Sequence, residues 1–186
     1  DIQAKLDDSL VIVSTIAASK YCIGGTKNMT EKLEQDLRFM QDTLDKWLEF
    51  QRNWMYLENI FASTEIRNLW NQDSRLFESV DRVFRELMRR VHDLPSAYRS
   101  LTQGNNTLGQ QFERDNRTLE GILASIEKKL EEKRKAFPRF YFLSNDDLLD
   151  ILAKIKEPAK IAPHMLKMFD GVKQLTLSPI NDITHM

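Results

Sequence analysis

The chain is poor in the residues that interrupt helices and in the residue that forms disulfides. Its 186 residues include only 6 Gly, 5 Pro and one Cys. Gly and Pro are the strongest local breakers of regular structure, so long uninterrupted helices are expected. Cys22 has no partner for an internal disulfide, which favours a reducing compartment. No apolar run approaches the roughly 20 residues that span a bilayer, so no membrane partner is expected.

Charge and motif content point away from nucleic-acid binding and from catalysis. The formal net charge is −1, from 27 basic and 28 acidic residues, so no basic surface argues for nucleic acid. The segment GGTK at 24–27 lacks the spacing of a phosphate-binding loop and predicts a turn. His92, His164 and His185 are scattered without metal-ligand spacing. No catalytic, cofactor-binding or metal-ligating residue is therefore predicted.

Apolar periodicity predicts an all-α fold, an elongated bundle of long antiparallel helices joined by short helices. Expected helices cover about residues 1–20, 29–61, 64–70, 74–92, 95–101, 107–136, 145–156 and a last helix from Pro163 to just before Gly171. The run at 10–13 could alternatively form a short strand. Residues 172–177 alternate and predict a terminal β-strand, which chain outside this sequence would complete. We treat 1–186 as one fragment of a longer polypeptide, with sub-bundles 1–101 and 102–186 as a further hypothesis.

The second predicted helix has the clearest buried stripe. Its apolar positions step by threes and fours, as in a helix that packs lengthwise on others; they are Leu33, Leu37, Met40, Leu44, Trp47, Trp54, Leu57 and Phe61. Gln51 lies on the same seam, where a buried amide bonded to backbone is expected; a ligand or partner contact is the alternative. Thr30 is the predicted N-cap of this helix. Asp73 or Ser74 is the predicted N-cap of the fourth helix.

The sixth predicted helix ends in a charged turn. Its predicted inward positions are Phe112, Leu119, Ile122, Ile126 and Leu130. Glu131 and Lys135 are spaced for an i,i+4 ion pair. Residues 133–135 are basic and match the helix dipole, so a solvated helix end is favoured over a binding patch.

Residues 137–152, FPRFYFLSNDDLLDIL, form the most distinctive stretch of the chain. Its first six positions hold Phe137, Pro138, Phe140, Tyr141 and Phe142, with Arg139 among them. So much aromatic surface predicts a buried crossing point on which helices pack. Ser144 is the predicted N-cap of the next helix, with Asp147 completing a capping box and Leu143 and Leu148 forming a hydrophobic staple.

Several motifs, in the same order along the chain, resemble the linker of dynein heavy chains. Residues 6–9 resemble the LDDS that opens one linker helix, and WLEFQRNWMYLENIF at 47–61 resembles W-L-x-x-Q-x-x-W-x-Y-L-E-x-I-F. Residues 137–152 resemble the family's FPRF(Y/F)F-L-S-N-(D/E)-(D/E)-L-L-(D/E)-I-L signature. Downstream, His164, Lys167, Phe169 and Gly171 are similar to its H-x-x-K-x-F-x-G pattern. The LSND at 143–146 resembles axonemal more than cytoplasmic dyneins, and residues 98–112 depart most from the family pattern.

The resemblance implies a role that the residues alone do not give. In the family, the linker is a helical rod lying across the AAA+ ring of the same heavy chain, and it bends and straightens as ATP turns over. The resemblance implies that this movement of the linker produces a power stroke toward microtubule minus ends, in a cilium or flagellum. ATP and Mg²⁺ would bind in the ring and the microtubule would bind at the stalk, so this fragment needs no cofactor. Implied partners are the ring and other dynein subunits, with the microtubule contacted only indirectly.

Three further expectations concern joints and partner-facing groups. Residues 21–27, 102–106 and 137–145 are candidate joints, with bending assigned to one of the first two and rigidity to 137–142. Arg139 and Tyr141 are predicted to face the ring together, turned away from Phe140 and Phe142, although Arg139 could instead pair with an acidic neighbour. Trp70 lies off any apolar stripe and is the aromatic expected to be exposed. A spectrin-like tethering or scaffold module is the alternative function, but it would require neither the FPRF block nor a terminal strand.

Overall fold

The computed structural model describes residues 2–94, 96–102, 107–172, 176–177 and 183–185. Helices account for almost all of these residues, so the all-α prediction is confirmed. The helices are α1 Ile2–Ala17, α2 Gly25–Phe61, α3 Thr64–Leu69, α4 Asn71–Asp93, α5 Ala97–Thr102, α6 Thr107–Ala136, α7 Asn145–Ala153 and α8 Pro158–Met168. A 3₁₀ helix, Pro138–Phe142, lies between α6 and α7, and two short strands, β1 Thr176–Leu177 and β2 Ile183–His185, follow α8.

The chain divides into two units, each made of separate stretches of sequence. The first contains residues 1–53 and 81–117, and the second contains residues 54–80 and 118–186. Helices α2, α4 and α6 each contribute residues to both units. The contiguous sub-bundles suggested from the sequence, 1–101 and 102–186, stay a prediction.

The first unit has an apolar core on α1, α2, α5 and α6. Its buried members are Leu6, Val13, Leu37, Met40 and Leu101, with Leu10, Leu44, Trp47 and Leu108 packed against them. Residues 10–13 are helical, so the alternative of a short strand there is wrong. An aromatic group completes the core, because Phe50 lies 4.9 Å from Phe84 and 5.5 Å from Phe112 between ring centroids.

The buried stripe of α2 passes through Phe50 and not through Gln51, which corrects the predicted seam. Phe50 is fully buried and Gln51 is exposed. An α-helix has 3.6 residues per turn, so a strict 3.5-residue seam drifts around its surface over 37 residues. The step after Trp47 is therefore three residues, to Phe50, and the next is four, to Trp54, which is half-buried. The buried amide expected at Gln51 is wrong.

Two predicted N-caps are also wrong, because both helices begin earlier than expected. Helix α2 begins at Gly25, directly after Gly24 with φ 59°, a conformation that glycine adopts without strain. Thr30 therefore lies inside α2, where its hydroxyl donates to the Thr26 carbonyl at 2.9 Å. Helix α4 begins at Asn71, which places Asp73 and Ser74 in its first turn, both buried.

Helix α6 agrees with its predicted bounds and its predicted stripe, all five members of which are buried. The sequence pattern missed one buried position between Phe112 and Leu119. Asn116 is buried there, and its Nδ2 donates to the Lys46 carbonyl of α2 at 3.2 Å. Farther toward the start of α6, a Cβ on Gly109 would lie 3.3 Å from the Thr43 hydroxyl. Glycine therefore allows α6 to approach α2 closely within the first unit.

The last elements differ from their predicted bounds at one proline and one strand. Helix α8 begins at Pro158 and not at Pro163. Proline is tolerated at the first position of a helix because the N–H of that residue has no partner within the helix. Pro163 lies inside the helix and removes the hydrogen bond that residue 163 would donate to the carbonyl of residue 159. Gly171 follows the helix end with φ 80°. Strand β1 pairs antiparallel with β2, so its partner lies within this chain, while residues 173–175 of the predicted strand lie outside the described residues.

Candidate interaction surface

The segment after α6 is a 3₁₀ helix with an exposed aromatic face, which corrects the expectation of a buried crossing point. Helix α6 ends at Ala136, and Pro138 occupies the start of the 3₁₀ helix Pro138–Phe142. Phe137, which precedes this helix, and Tyr141 and Phe142 within it expose 39%, 54% and 68% of their surface. Only Phe140 is half-buried, against the cluster of Leu143, Ile151 and Met168.

The 3₁₀ geometry explains which side chains are inside. With three residues per turn, positions i and i+3 lie on the same side. Phe137, Phe140 and Leu143 therefore share one side, and the Phe137 and Phe140 rings meet edge to face at 4.9 Å and 71°. Tyr141 and Phe142 lie on the other two sides. A pleated alternation, which would have turned Arg139 and Tyr141 the same way, is wrong for this segment.

Two side chains fix the 3₁₀ helix to its neighbours. Arg139 donates through Nη1 to the Met168 carbonyl at 2.9 Å, and its guanidinium lies 4.4 Å from the centroid of the Phe169 ring. Tyr141 donates through its hydroxyl to Glu131 Oε1 on α6 at 2.7 Å. That hydrogen bond raises the pKa of the Tyr141 phenol, and burial adds to the rise. Arg139 therefore meets a carbonyl and an aromatic ring and not the acidic neighbour that was the alternative.

The basic end of α6 is only partly solvated. Arg134 donates through Nη2 to Asn145 Oδ1 at 2.8 Å and to the Leu143 carbonyl at 3.2 Å, so it fixes the connection to α7. The expected ion pair between Glu131 and Lys135 is not among those of the described residues, because Glu131 turns to Tyr141. Lys135 is exposed.

Helix α7 begins with the predicted capping box. The Ser144 hydroxyl accepts from the Asp147 backbone N–H at 3.1 Å, and the Ser144 backbone N–H donates to Asp147 Oδ2 at 3.4 Å. Leu143 and Leu148, the predicted staple residues, are both buried. Two orphan N–H groups at this helix end are thereby satisfied, and the direction in which α7 leaves the 3₁₀ helix is fixed.

An ionic network joins α7 to α8. Lys167 Nζ lies 2.8 Å and 2.9 Å from the two carboxylate oxygens of Asp147. His164 Nε2 lies 2.8 Å from Asp150 Oδ2, and its Nδ1 lies 3.3 Å from Asp147 Oδ1 without forming a hydrogen bond. The hydrogen bond from Lys167, followed by that from Ser144, lowers the pKa of Asp147 to about 2. The Asp150 pKa is also lowered, chiefly by a hydrogen bond from Lys154.

Trp70 is buried at 5% exposure, so the expectation that it is exposed is wrong. Trp70 is the C-cap of α3, and α4 begins at the next residue, so Trp70 lies at the junction of these two helices. Lys129 of α6 lies 5.7 Å from the centroid of that ring and pairs with the buried carboxylate of Asp73. Ser125 donates to the same carboxylate at 3.2 Å. Trp70 therefore takes part in contacts inside the second unit.

Among the described residues, neither a metal-type cluster nor a membrane-spanning helix occurs. No group of three or more His, Cys, Asp or Glu side chains among them could hold a metal ion. Within the same residues, no helix combines the length and the apolar character that crossing a membrane requires. Phe137, Tyr141 and Phe142 instead expose aromatic surface on different sides of the 3₁₀ helix, and such side chains can contribute to binding another protein surface.

Comparison with known proteins identifies the family. Residues 1–186 match the family model described as dynein heavy chain, N-terminal region 2. This chain belongs to the dynein heavy chains. It is 42% identical to human dynein axonemal heavy chain 6 over 94% of its length. It is 41% identical over 95% to the Chlamydomonas reinhardtii dynein-1-beta heavy chain of the flagellar inner arm I1 complex, and 37% identical over 100% to human dynein axonemal heavy chain 12. The chain spans only 4–6% of the length of these relatives.

The dynein motifs seen in the sequence meet each other in the second unit. Arg139 of the FPRF block contacts Met168 and Phe169 of the downstream motif. His164 and Lys167 of that motif bind the carboxylates that follow the FPRF block. Residues that resemble the dynein signature over 137–171 therefore form one contact network. It joins the 3₁₀ helix and α7 to α8.

The upstream dynein motifs serve packing. Trp47 stacks on Phe112 at 5.2 Å, and Phe61 stacks on Phe77 at 5.4 Å. Asp7 of the LDDS motif accepts from Gln41 Nε2 at 2.8 Å. The side chains that sequence reasoning missed are Phe50, Asn116 and the Asp73–Lys129 pair. Phe50 could have been found by following the drift of a 3.6-residue helix, whereas the polar positions carry no periodic signal.

Proposed function

We propose that this chain is a non-catalytic mechanical element, the linker or lever, of a dynein heavy chain. It couples ATP-driven changes of the AAA+ ring to a power stroke that produces minus-end-directed movement along microtubules. The observation that carries the proposal is the match of all 186 residues to dynein heavy chain, N-terminal region 2, and this sequence itself contains no phosphate-binding loop motif. The axonemal and flagellar names of the relatives support a place in the axoneme of a cilium or flagellum.

The helices support this proposal physically. Helix α2 has 37 residues and α6 has 30, or roughly 55 Å and 45 Å at 1.5 Å per residue. Buried side chains recur along both helices, so a load applied to either would strain many contacts together. The parent heavy chain would be the ATPase, with ATP and Mg²⁺ in its ring, and this region would contact that ring and other dynein subunits while the stalk binds the microtubule.

The proposed joints differ in what supports them. Of the first candidate joint, 21–27, residues 25–27 lie inside α2, whereas residues 21–24 belong to the connection from α1 and contain Gly24 at positive φ, so that part can absorb a change of backbone angle. Of the second candidate joint, 102–106, residues 103–106 lie outside the described residues. The third, 137–145, is fixed by the contacts of Arg134, Arg139 and Tyr141, which supports its assignment as a rigid part of the lever.

The test is to soften the lever and to measure movement and ATP turnover together in a heavy-chain motor that contains this region. Leu119→Ala removes a fully buried side chain of α6, at a cost of about 2–5 kcal/mol, and Glu120→Ala changes its exposed neighbour. We expect Leu119→Ala to lower microtubule gliding velocity more than the rate of ATP hydrolysis, and Glu120→Ala to change neither. Equal losses of both, or no loss of velocity, would contradict a lever and favour a tethering module.

A further inference from the structure

His164 of α8 lies between two carboxylates of α7. Its Nε2 is 2.8 Å from Asp150 Oδ2, and its Nδ1 is 3.3 Å from Asp147 Oδ1. The side chain is 13% exposed, and Nδ1 is buried without a hydrogen-bond partner among the described residues. Each nitrogen of one imidazole ring therefore faces an acidic oxygen, but only one of the two contacts is a hydrogen bond.

The two carboxylates decide which ring nitrogen carries a proton. Hydrogen bonds, chiefly from lysine side chains, lower the pKa of both acids, so both are ionised at neutral pH. An ionised carboxylate accepts hydrogen bonds and cannot donate them, so Nε2 of His164 must be the donor to Asp150. In a neutral imidazole the other nitrogen, Nδ1, then presents a lone pair to the anionic oxygen of Asp147. That buried contact is unfavourable, whereas a proton on Nδ1 makes it attractive.

Nearby cations act against this second proton, but they are more exposed than the imidazole. Lys154 Nζ lies 2.6 Å from Asp150 Oδ1 with its side chain 39% exposed, and Lys167, which binds Asp147, is 54% exposed. Solvent weakens the interactions of exposed charges more than those of buried charges. The contacts of His164 with its two carboxylates therefore outweigh the repulsion from the lysines.

The other charged or titratable groups on the elements packed around α7 and α8 are bonded elsewhere. They are Asp146 of α7, which accepts from Tyr56, Lys160 of α8, which pairs with Glu157, Arg139 of the 3₁₀ helix, which donates to the Met168 carbonyl, and Glu65 of α3, which pairs with Lys156. The charge of the imidazole is therefore decided mainly by the two carboxylates that it contacts.

The backbone of α8 gives this side-chain contact additional weight. Pro163 directly precedes His164 inside the helix and cannot donate the hydrogen bond that would join it to residue 159. The helix is therefore weakened at the turn that carries His164. On the apolar side, Leu143, Ile151 and Met168 hold α7 and α8 together at any pH. The ionic side is the part of this contact that a proton can change.

We propose that His164 is a pH-sensitive clamp between α7 and α8, which is closed when both ring nitrogens carry protons and is weakened when Nδ1 loses its proton. The folded chain offers two carboxylates to the charged ring and the unfolded chain offers none. The clamp therefore stabilises the fold on the acidic side of neutral pH, and this contribution is lost as pH rises. Imidazole is the side chain whose charge ordinarily changes in this range. The inference does not depend on the proposed lever function, because it concerns contacts inside the second unit.

The first test is nitrogen-15 NMR of the histidine rings in the unsubstituted chain at pH 7. The resonance of a ring nitrogen shows whether that nitrogen carries a proton. His92→Gln and His185→Gln each remove one set of signals, so the signals of His164 are assigned without changing that residue. We expect both nitrogens of His164 to carry protons, whereas the ring of His92, which is 89% exposed, should be mostly neutral. A neutral His164 ring at pH 7 would overturn the inference.

The second test measures hydrogen exchange of the α7 and α8 backbone amides by mass spectrometry at pH 6 and pH 8, corrected for the intrinsic dependence of exchange on pH. We expect protection across residues 145–168 to be about tenfold lower at pH 8 in the unsubstituted chain and to differ little between the two pH values in His164→Gln. The His92→Gln variant is the matched control and should behave like the unsubstituted chain.

Two exchange results would overturn the inference: protection that does not fall in the unsubstituted chain, or protection that falls equally in His164→Gln. Neither result bears on whether the lever moves, because the Leu119→Ala comparison measures that separately.

Discussion

Replacing Lys129 with Met removes the cation that faces a buried carboxylate in the second unit. Asp73 is 8% exposed at its side chain, Lys129 is 31% exposed, and the ammonium also lies 5.7 Å from the Trp70 ring centroid. Met keeps most of the aliphatic stem and so preserves packing on Trp70. The change therefore isolates the charge, while the hydrogen bond from the Ser125 hydroxyl to Asp73 remains.

The expected cost lies between two known limits. Breaking a fully buried ion pair costs about 3–5 kcal/mol, because the remaining charge is buried without compensation. Exposed pairs contribute about 0.2–1 kcal/mol. In this pair Asp73 is buried and Lys129 is about a third exposed. We therefore expect a cost between those limits, about 2 kcal/mol. Since Asp73→Asn in the same background removes the uncompensated charge, the double variant should recover about 1–2 kcal/mol of that loss.

The assay is urea unfolding of the four proteins of the double-mutant cycle, followed by helical circular dichroism and by tryptophan fluorescence. Lys160→Met is the matched control, because Lys160 forms an exposed pair with Glu157 on α8 in the same unit; its cost should stay within about 0.5 kcal/mol. A Lys129→Met cost as small as that of the control, or additive effects in the cycle, would show that burial does not strengthen the Asp73–Lys129 pair.

Four further substitutions and a pH series test the core and the α7–α8 network. Phe50→Ala should cost about 3–5 kcal/mol and Gln51→Ala within about 0.5 kcal/mol, measured by urea unfolding. Asn116→Leu should stabilise the chain by about 1 kcal/mol, because it removes a buried oxygen that has no hydrogen-bond partner among the described residues. The Asp147 pKa is lowered to about 2 from 3.8, so its contribution is complete above pH 4 and is lost as pH falls toward 2. Lys167→Met should flatten that loss.

Each of these expectations has a contradicting result. Equal costs at positions 50 and 51 would restore the predicted seam through Gln51. Destabilisation by Asn116→Leu would mean that its bond to the Lys46 carbonyl outweighs the unpaired oxygen. The free energy of unfolding could fall between pH 4 and pH 2 as steeply in the Lys167→Met variant as in the unsubstituted chain. That result would show that Lys167 does not stabilise the Asp147 carboxylate.

The sequence predicted elements well where a local rule decides them. The α6 stripe, the Ser144 capping box, the end of α6 at Ala136 and the turn at Gly171 after α8 all depend on periodicity, capping residues, proline and glycine, which act within one or two turns. Helix starts were less predictable, because Pro158 and Pro163 could each occupy a first turn and only tertiary packing decides between them.

The candidate site was less predictable than the fold. The FPRF block is dense in aromatics, which by composition indicates burial, yet the 3₁₀ geometry turns Tyr141 and Phe142 outward. Backbone geometry of this kind has no signal in a six-residue pattern. Trp70 shows the converse, because the chain turn between α3 and α4 buries it without any apolar stripe. Polar contacts such as Asp73–Lys129 join residues 56 positions apart and carry no sequence period at all.

The proposed lever function requires this region to move when the heavy chain binds and hydrolyses ATP. The most direct measurement is the distance between a fluorophore on an exposed residue of α4 and a second fluorophore on the ring, followed by energy transfer in single heavy-chain motors. For a lever we expect two distances that alternate with the nucleotide state, with the change preceding movement on the microtubule. A single distance in all nucleotide states, in a motor that still hydrolyses ATP and moves, would contradict it.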